Sequence, residues 1–385
     1  MKHQKKIVFL LLMAILLLPV ITACSSTQKS GSTKTAQTTS DPVKQGTNKM
    51  KQLNNKLQVA LKKNDTAAIK KYGKQINTQW LSYENNVRDR FPLQYAKIER
   101  YQQPIYAQSN LADPDVAQIK ENSSALTGQL NDLLTAKETK SKPSKQMDQA
   151  VDDYLKYADE QIDMLVKTTK PFVKAVKDGD IEKAKKLYAE PRIYYERAEP
   201  IAESFGDLDP AIDARVNDVD DLSKWTGFHE IERALWEKNS LKGQGKYADK
   251  LMADVLDLQK KSKTFKLTPK AMVAGAMELL EEAATSKITG EEERYSHTDL
   301  VDLQANVDGS EAVYQAAIPA LNQGHKDLAN QIDKQFQAFD KQMLKYKKSD
   351  TEYEDYTKLS KEQIREISNE LSKLSKLMAQ TAKIF

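Results

Sequence analysis

The chain has 385 residues, 39% of them hydrophobic, with 59 Lys and Arg against 55 Asp and Glu for a formal charge of +4. Lys2, Lys5 and Lys6 supply most of that excess, so the remainder is close to neutral and lacks the basic surplus that binds nucleic acid. One cysteine in the whole chain excludes intrachain disulfides, CxxC redox pairs and cysteine-ligated iron–sulfur clusters.

A basic start is followed by an apolar run from Ile7 to Ile21, the pattern of a secretory signal. The run is too short, and too abruptly followed by polar residues, to stay in place as a spanning helix. Ile21-Thr22-Ala23-Cys24 resembles the lipobox of bacterial lipoproteins, in which cleavage falls before the cysteine and its thiol takes up a diacylglycerol. That resemblance implies a signal peptide over 1–23, a lipid on Cys24, and a place on the outer face of the cell membrane. Residues 24–50 are Ser, Thr, Gln, Lys and Gly with Val43 almost the only apolar side chain. Such a stretch buries too little surface to offset its ordering entropy, and it is predicted to be a flexible tether spanning on the order of 25 to 30 Å.

From residue 51 onward glycine and proline are scarce, and Lys, Glu, Gln, Ala and Leu dominate. This composition predicts helices and essentially no strand. Apolar residues recur at helical spacing, as in Met164, Leu165, Phe172, Val173 and Val176, or Met252, Val255, Leu256 and Leu258. The methionines among them read as core filling rather than a soft-metal site. Breaks are predicted at Asn64-Asp65, Phe91-Pro92, Asp113-Pro114, Lys142-Pro143, Asp178-Gly179-Asp180, Gly206 to Pro210, Thr268-Pro269, Thr289-Gly290 and Asp308-Gly309. The intervening segments suit long antiparallel helices in bundles, arranged as an N-terminal helical region over 51–140 and a main body over 141–385. A weak internal repeat aligns Asp65 with Asp180, Trp80 with Tyr195 and Glu84 with Glu199. Leu81 falls on Glu196, so only the second copy has a carboxylate pair.

His229 and Glu232, in Trp225-Thr-Gly-Phe-His-Glu-Ile-Glu-Arg-Ala-Leu-Trp236, stand three apart and share one side of a helical turn. An imidazole and a carboxylate so placed make a metal half-site, or else an ordinary ion pair. A zincin helix is excluded, because the second histidine of HExxH would be residue 233, which is Arg233. Glu196 and Glu199 repeat the spacing shortly before Asp209 and Asp213, and carboxylates cluster again at Glu281-Glu282 and Glu291-Glu292-Glu293. Tyr194 and Tyr195 beside the first pair argue for burial, and buried carboxylates need a cation.

The segments RIYYERAEPIAESFGDLDPAIDAR, WTGFHEIERALW and KITGEEERYSHTDLVDLQANVDG resemble the imelysin-like module of the EfeM/EfeO family of iron-uptake lipoproteins, marked by GxHxxE, over roughly residues 140 to 385. The resemblance implies an all-α fold of tandem antiparallel four-helix bundles, here with extra N-terminal helices. It also implies a non-enzymatic role: binding iron (Fe2+/Fe3+) as cargo outside the membrane and passing it to a membrane iron permease (EfeU-like) beside a haem peroxidase (EfeB-like). Carried onto this sequence, the family's metal site falls on Glu196, Glu199, Asp213, His229, Glu232 and Glu292. An oxygen-rich set with one imidazole suits iron and leaves other divalent cations possible. His297 reads as a residue supporting the ligands from behind or as structural, rather than as a ligand, and His325 as an exposed helix start. The cupredoxin-like domain of some members is missing, since residues 51–140 lack alternating strands and a copper ligand set. Two rival readings are a metal-dependent peptidase, disfavoured by the absence of a Ser-His-Asp set or zincin helix, and a polysaccharide-binding lipoprotein using lysines such as Lys183, Lys185 and Lys186.

Overall fold

The computed structural model describes residues 41–110, 114–138, 144–219 and 221–384. The signal segment, Cys24 and the tether up to residue 40 lie outside the described residues. Within them the chain is almost wholly helical, as composition predicts, with one short hairpin of β1 (Lys347–Ser349) and β2 (Glu352–Tyr353). No described helix is long and apolar enough to cross a membrane.

The N-terminal helices are α1 (Pro42–Lys62), α2 (Thr66–Leu81), α3 (Glu84–Arg90), α4 (Pro92–Asn110) and α5 (Val116–Thr135). Packing of α1 on α2 and α5, and of α4 on α2 and α5, closes a four-helix bundle around Met50, Leu57, Ile76, Trp80, Ile98 and Leu126. The stretch predicted as a tether does not extend to residue 50, because residues 42–50 belong to α1. Asp41 accepts the Val43 N–H at 3.1 Å and Pro42 opens the helix, a favourable N-terminus. Val43 and Met50, two turns apart, are then buried against the bundle.

The main body starts with α6 (Lys145–Asp178), α7 (Ile181–Ala198), α8 (Leu208–Asp213), α9 (Phe228–Trp236) and α10 (Gly245–Ser262). It continues with α11 (Pro269–Thr285), α12 (Asp299–Leu321), α13 (Lys326–Met343) and α14 (Lys361–Met378). The 34-residue α6 serves two cores. Its first half places Met147, Tyr154 and Ala158 among residues of α11 to α14, and its second half places Ile162, Leu165 and Phe172 among residues of α7 to α10. The α1–α2 and α6–α7 hairpins share their turn chemistry, since Asp65 accepts from the Ala68 N–H and Asp180 from the Lys183 N–H, both at 3.0 Å.

One predicted break is absent. Asp308-Gly309 lies inside α12, which runs unbroken to Leu321. A Cβ at Gly309 would meet the Arg197 backbone carbonyl, so this glycine serves the close approach of two helices rather than a turn. The approach brings α12 against the end of α7, where Glu196 and Glu199 lie.

Candidate metal centre

Glycine also sets the geometry of the GxHxxE segment. Gly227 has φ of +90° and its missing Cβ would collide with the Ile212 carbonyl, so α9 can begin directly against the end of α8. That contact carries Asp213, the last residue of α8, to His229 in the first turn of α9. His229 Nε2 faces Asp213 Oδ1 at 3.4 Å. Asp213, His229 and Glu292 each offer a ligand atom within 4.8 Å of the others, and His229, Glu232 and Glu293 form a second such trio.

The imidazole is 1% exposed, and its two nitrogens differ. Nδ1 lies 3.0 Å from Glu232 Oε2, whereas Nε2 has no hydrogen-bond partner among the described residues. The other Glu232 oxygen accepts the backbone N–H groups of Tyr295 at 2.8 Å and Ser296 at 2.7 Å. Glu232 therefore has both oxygens engaged, one of them orienting the ring. When Nδ1–H donates to Glu232, the Nε2 lone pair is left facing Asp213 and Glu292.

Glu196 and Glu199 close the other side. Lys287, on a 3-10 turn after α11, places Nζ 2.8 Å from Glu196 Oε2 and 2.8 Å from each Glu199 oxygen. It also lies 3.5 Å from Glu292 Oε1. Asn306 Nδ2 donates to the same carboxylates at 2.7 and 2.6 Å. Arg192, fully buried one turn before Glu196, pairs with Glu196 and Asp213. It also meets Glu293 and Asp302, both at 2.9 Å. Arg215 binds Glu292 at 2.8 Å.

Burial pushes the Glu196 carboxyl up, but the Arg192 and Lys287 charges outweigh that and hold it well below the usual carboxylate range. Glu199 moves the other way, raised by burial and by the charge of Glu196. Burial also lifts Glu293 to about 7 and Asp299 to about 8. For His229, burial and Arg192 act downward, while Glu232 and Glu293 outweigh them and raise its pKa. Acidic groups here outnumber basic ones, which favours a polyvalent cation.

A cavity of about 340 Å³ opens above these residues, with Glu199, Asp213, Lys287 and Glu292 on its floor. Its opposite wall is Asn77, Gln103 and Tyr106 of the N-terminal bundle. Tyr106 donates its hydroxyl to Asp218 at 2.8 Å, and Asp218 accepts from Arg215 at 2.8 Å. The N-terminal helices thus wall the mouth of the centre.

All six residues carried over from the family resemblance lie in this region, with Glu232 placed behind His229. Of the three consecutive glutamates, Glu292 joins Asp213 and His229, while Glu293 lies deeper and accepts from Tyr188 and Ser296. Glu291 lies on the rim beside Asn217 and Arg294. His297 sits outside the cluster in a left-handed turn with φ of +60°, and His325 is exposed ahead of α13. Sequence reasoning missed Arg192, Lys287, Asp299, Asp302 and Asn306. A signal existed for three of these: Asp299, Asp302 and Asn306 form a polar stripe at three- and four-residue spacing on α12, interleaved with apolar Leu300, Val301, Leu303, Ala305 and Val307.

The imelysin family model, also titled peptidase M75, matches residues 150–381. The iron uptake system component EfeM of Bacillus subtilis (strain 168) is 49% identical over 360 residues, which cover 94% of this chain and 92% of that protein. The chain belongs to the imelysin family, in its EfeM/EfeO branch. An Efem/EfeO family lipoprotein of Staphylococcus haemolyticus (strain JCSC1435) is 42% identical over 240 residues, 61% of this chain and 83% of the relative. EfeM of Pseudomonas syringae pv. syringae (strain B728a) is 48% identical over 212 residues, 54% of this chain and 74% of the relative. The imelysin match spans most of α6 through α14 and includes every residue of the candidate centre.

Proposed function

We propose that this chain is the extracytoplasmic iron-binding lipoprotein of an iron-uptake system, taking up Fe2+ or Fe3+ and passing it to a membrane permease, with a haem peroxidase as the third component. The observation that carries this reading is the buried His229 Nε2, without a hydrogen bond among the described residues, oriented by Glu232 and facing Asp213 and Glu292. One imidazole and several carboxylates form a donor set suited to a hard or borderline cation such as iron. Asp213, His229 and Glu292 would bind the ion directly, with Glu196 and Glu199 completing the cage, and Glu232 would hold the ring in its ligating tautomer. The names of the relatives support iron as the cargo.

The same donor set argues against hydrolysis. A peptidase metal keeps an open position for water beside a general base, whereas Asp213, His229 and Glu292 together with Glu196 and Glu199 would close around an ion and leave few such positions. A lipid on Cys24 would keep the cargo beside a permease in the same membrane and raise its local concentration there. The test is an anaerobic iron titration of the mature protein against a variant with Glu196, Glu199 and His229 changed to alanine. Loss of iron binding in the folded variant supports the assignment, and unchanged stoichiometry contradicts it.

A further inference from the structure

We propose that Lys287 is a built-in counter-cation that exchanges places with the incoming metal ion, so that iron enters as the ammonium swings out of the Glu196–Glu199 cage. The inference rests on the iron-binding reading above and adds a residue outside the six metal-site positions carried over from the family resemblance. A lysine side chain with 2% of its surface exposed is uncommon unless its charge is answered, and here one ammonium is answered by several carboxylate oxygens. Nζ stands 2.8 Å from an oxygen of Glu196 and from both oxygens of Glu199, with Glu292 Oε1 at 3.5 Å. It therefore occupies the point on which these three carboxylates converge.

Two cations cannot hold that point together. A metal ion bound by the same carboxylates takes its oxygens at about 2.0 to 2.2 Å, within the volume that Nζ fills. Either the carboxylates stay with lysine or they turn to the metal. Arg192 is the poorer candidate for displacement, because its guanidinium is fully buried and shared with Glu293 and Asp302 behind the centre. Lys287 has a way out. It lines the 340 Å³ cavity that also reaches Asp209 and Glu282, where a flexible four-carbon stem can carry the charge toward other carboxylates and water. The exchange swaps one charge for two or three, so the buried carboxylates stay compensated throughout. It also gives release a driving group, since the ammonium returning to Glu196 and Glu199 competes with the metal at the moment of transfer.

The deciding measurement is the reactivity of Lys287 itself. Parent protein stripped with a chelator, and the same protein saturated with Fe2+ under anaerobic conditions or with redox-inert Zn2+, are pulsed with acetic anhydride, and the Lys287 peptide is quantified by mass spectrometry. Exchange predicts strong protection in the stripped protein and at least about a tenfold rise in labelling on metal loading, as expected when burial alone restricts access. Lys287→Met supplies a second readout. Removing a competitor that holds the cage most of the time raises apparent metal affinity by the inverse of the competent fraction, about tenfold or more, while the melting temperature of the stripped protein falls. Metal uptake with Lys287 still protected, or a folded Lys287→Met variant that binds no more tightly, would overturn the exchange and leave iron binding standing. Failure of the parent protein to take up either metal would instead sink the iron-binding reading and the exchange with it.

Discussion

Replacing Glu232 with glutamine changes one atom of the centre and should still disable it. In the parent protein Glu232 Oε1 accepts two backbone N–H groups, from Tyr295 and Ser296, and Oε2 faces His229 Nδ1 at 3.0 Å. In Glu232→Gln the amide oxygen must stay with the two N–H donors, which leaves the NH2 group facing Nδ1. Nδ1 then becomes the acceptor, the ring proton moves to Nε2, and the nitrogen facing Asp213 and Glu292 loses its lone pair. Loss of such an orienting partner weakens metal binding by about 10- to 100-fold, or about 1.4 to 2.8 kcal/mol. Stability should barely change, because both backbone hydrogen bonds survive. Glu232→Ala, by contrast, leaves those donors without their acceptor and costs about 1 to 3 kcal/mol of stability as well. Anaerobic calorimetry with Fe2+ gives the affinities, and nitrogen chemical shifts of the His229 ring report its tautomer. Parent-like iron affinity in Glu232→Gln, with the ring tautomer switched, would refute the assignment of Nε2 as the ligating atom.

Gly309→Ala should cost about 1 to 3 kcal/mol by overpacking and also weaken iron binding, because the added methyl meets the Arg197 backbone between Glu196 and Glu199; denaturant melts and an iron titration on the same sample check this. Arg88→Met, which removes a buried ion-pair partner of Glu278 at the contact of the N-terminal helices with α11, should cost about 3 to 5 kcal/mol, and an unchanged denaturation midpoint would show that this pair does not hold the two parts together. Asp299 carries a pH signature. Burial raises it to about 8, so its protonated form contributes stability in full below the unfolded carboxyl's pKa of about 4, and that contribution is lost as pH rises through about 8. Asp299→Asn, neutral throughout, should gain stability relative to the parent between pH 5 and 8, and parallel melting curves across that range would contradict it.

His229 and Glu232 were legible because their relationship is local: three residues on a helix fix which side chains share a turn. Glu196 and Glu199 were legible for the same reason, and the helices around them followed from composition and periodicity. The cations that answer these carboxylates carry no such local signal. Lys287 lies 91 residues from Glu196 and Asp302 lies 110 from Arg192, and no spacing rule relates residues brought together only by the packing of α7, α11 and α12. Gly309 misled for an instructive reason. Glycine in a helical pattern looks like a break until the neighbouring helix is known, and here the neighbour is the backbone that carries the carboxylate pair. The start of α1 was similarly hidden, because Val43 and Met50 look isolated until α2 to α5 supply the surface that buries them. The N-terminal helices were visible as helices, but their closure into a bundle and their place at the mouth of the centre depend on which faces pair.

The most direct test of the central claim is anomalous diffraction at the iron edge from crystals of the iron-loaded protein. The account predicts a peak at about 2.0 to 2.2 Å from His229 Nε2, with oxygens of Asp213 and Glu292 around it and Lys287 drawn away from Glu196. An iron peak at the separate cluster of Glu84, Glu99 and Glu278, with none beside His229, would contradict it.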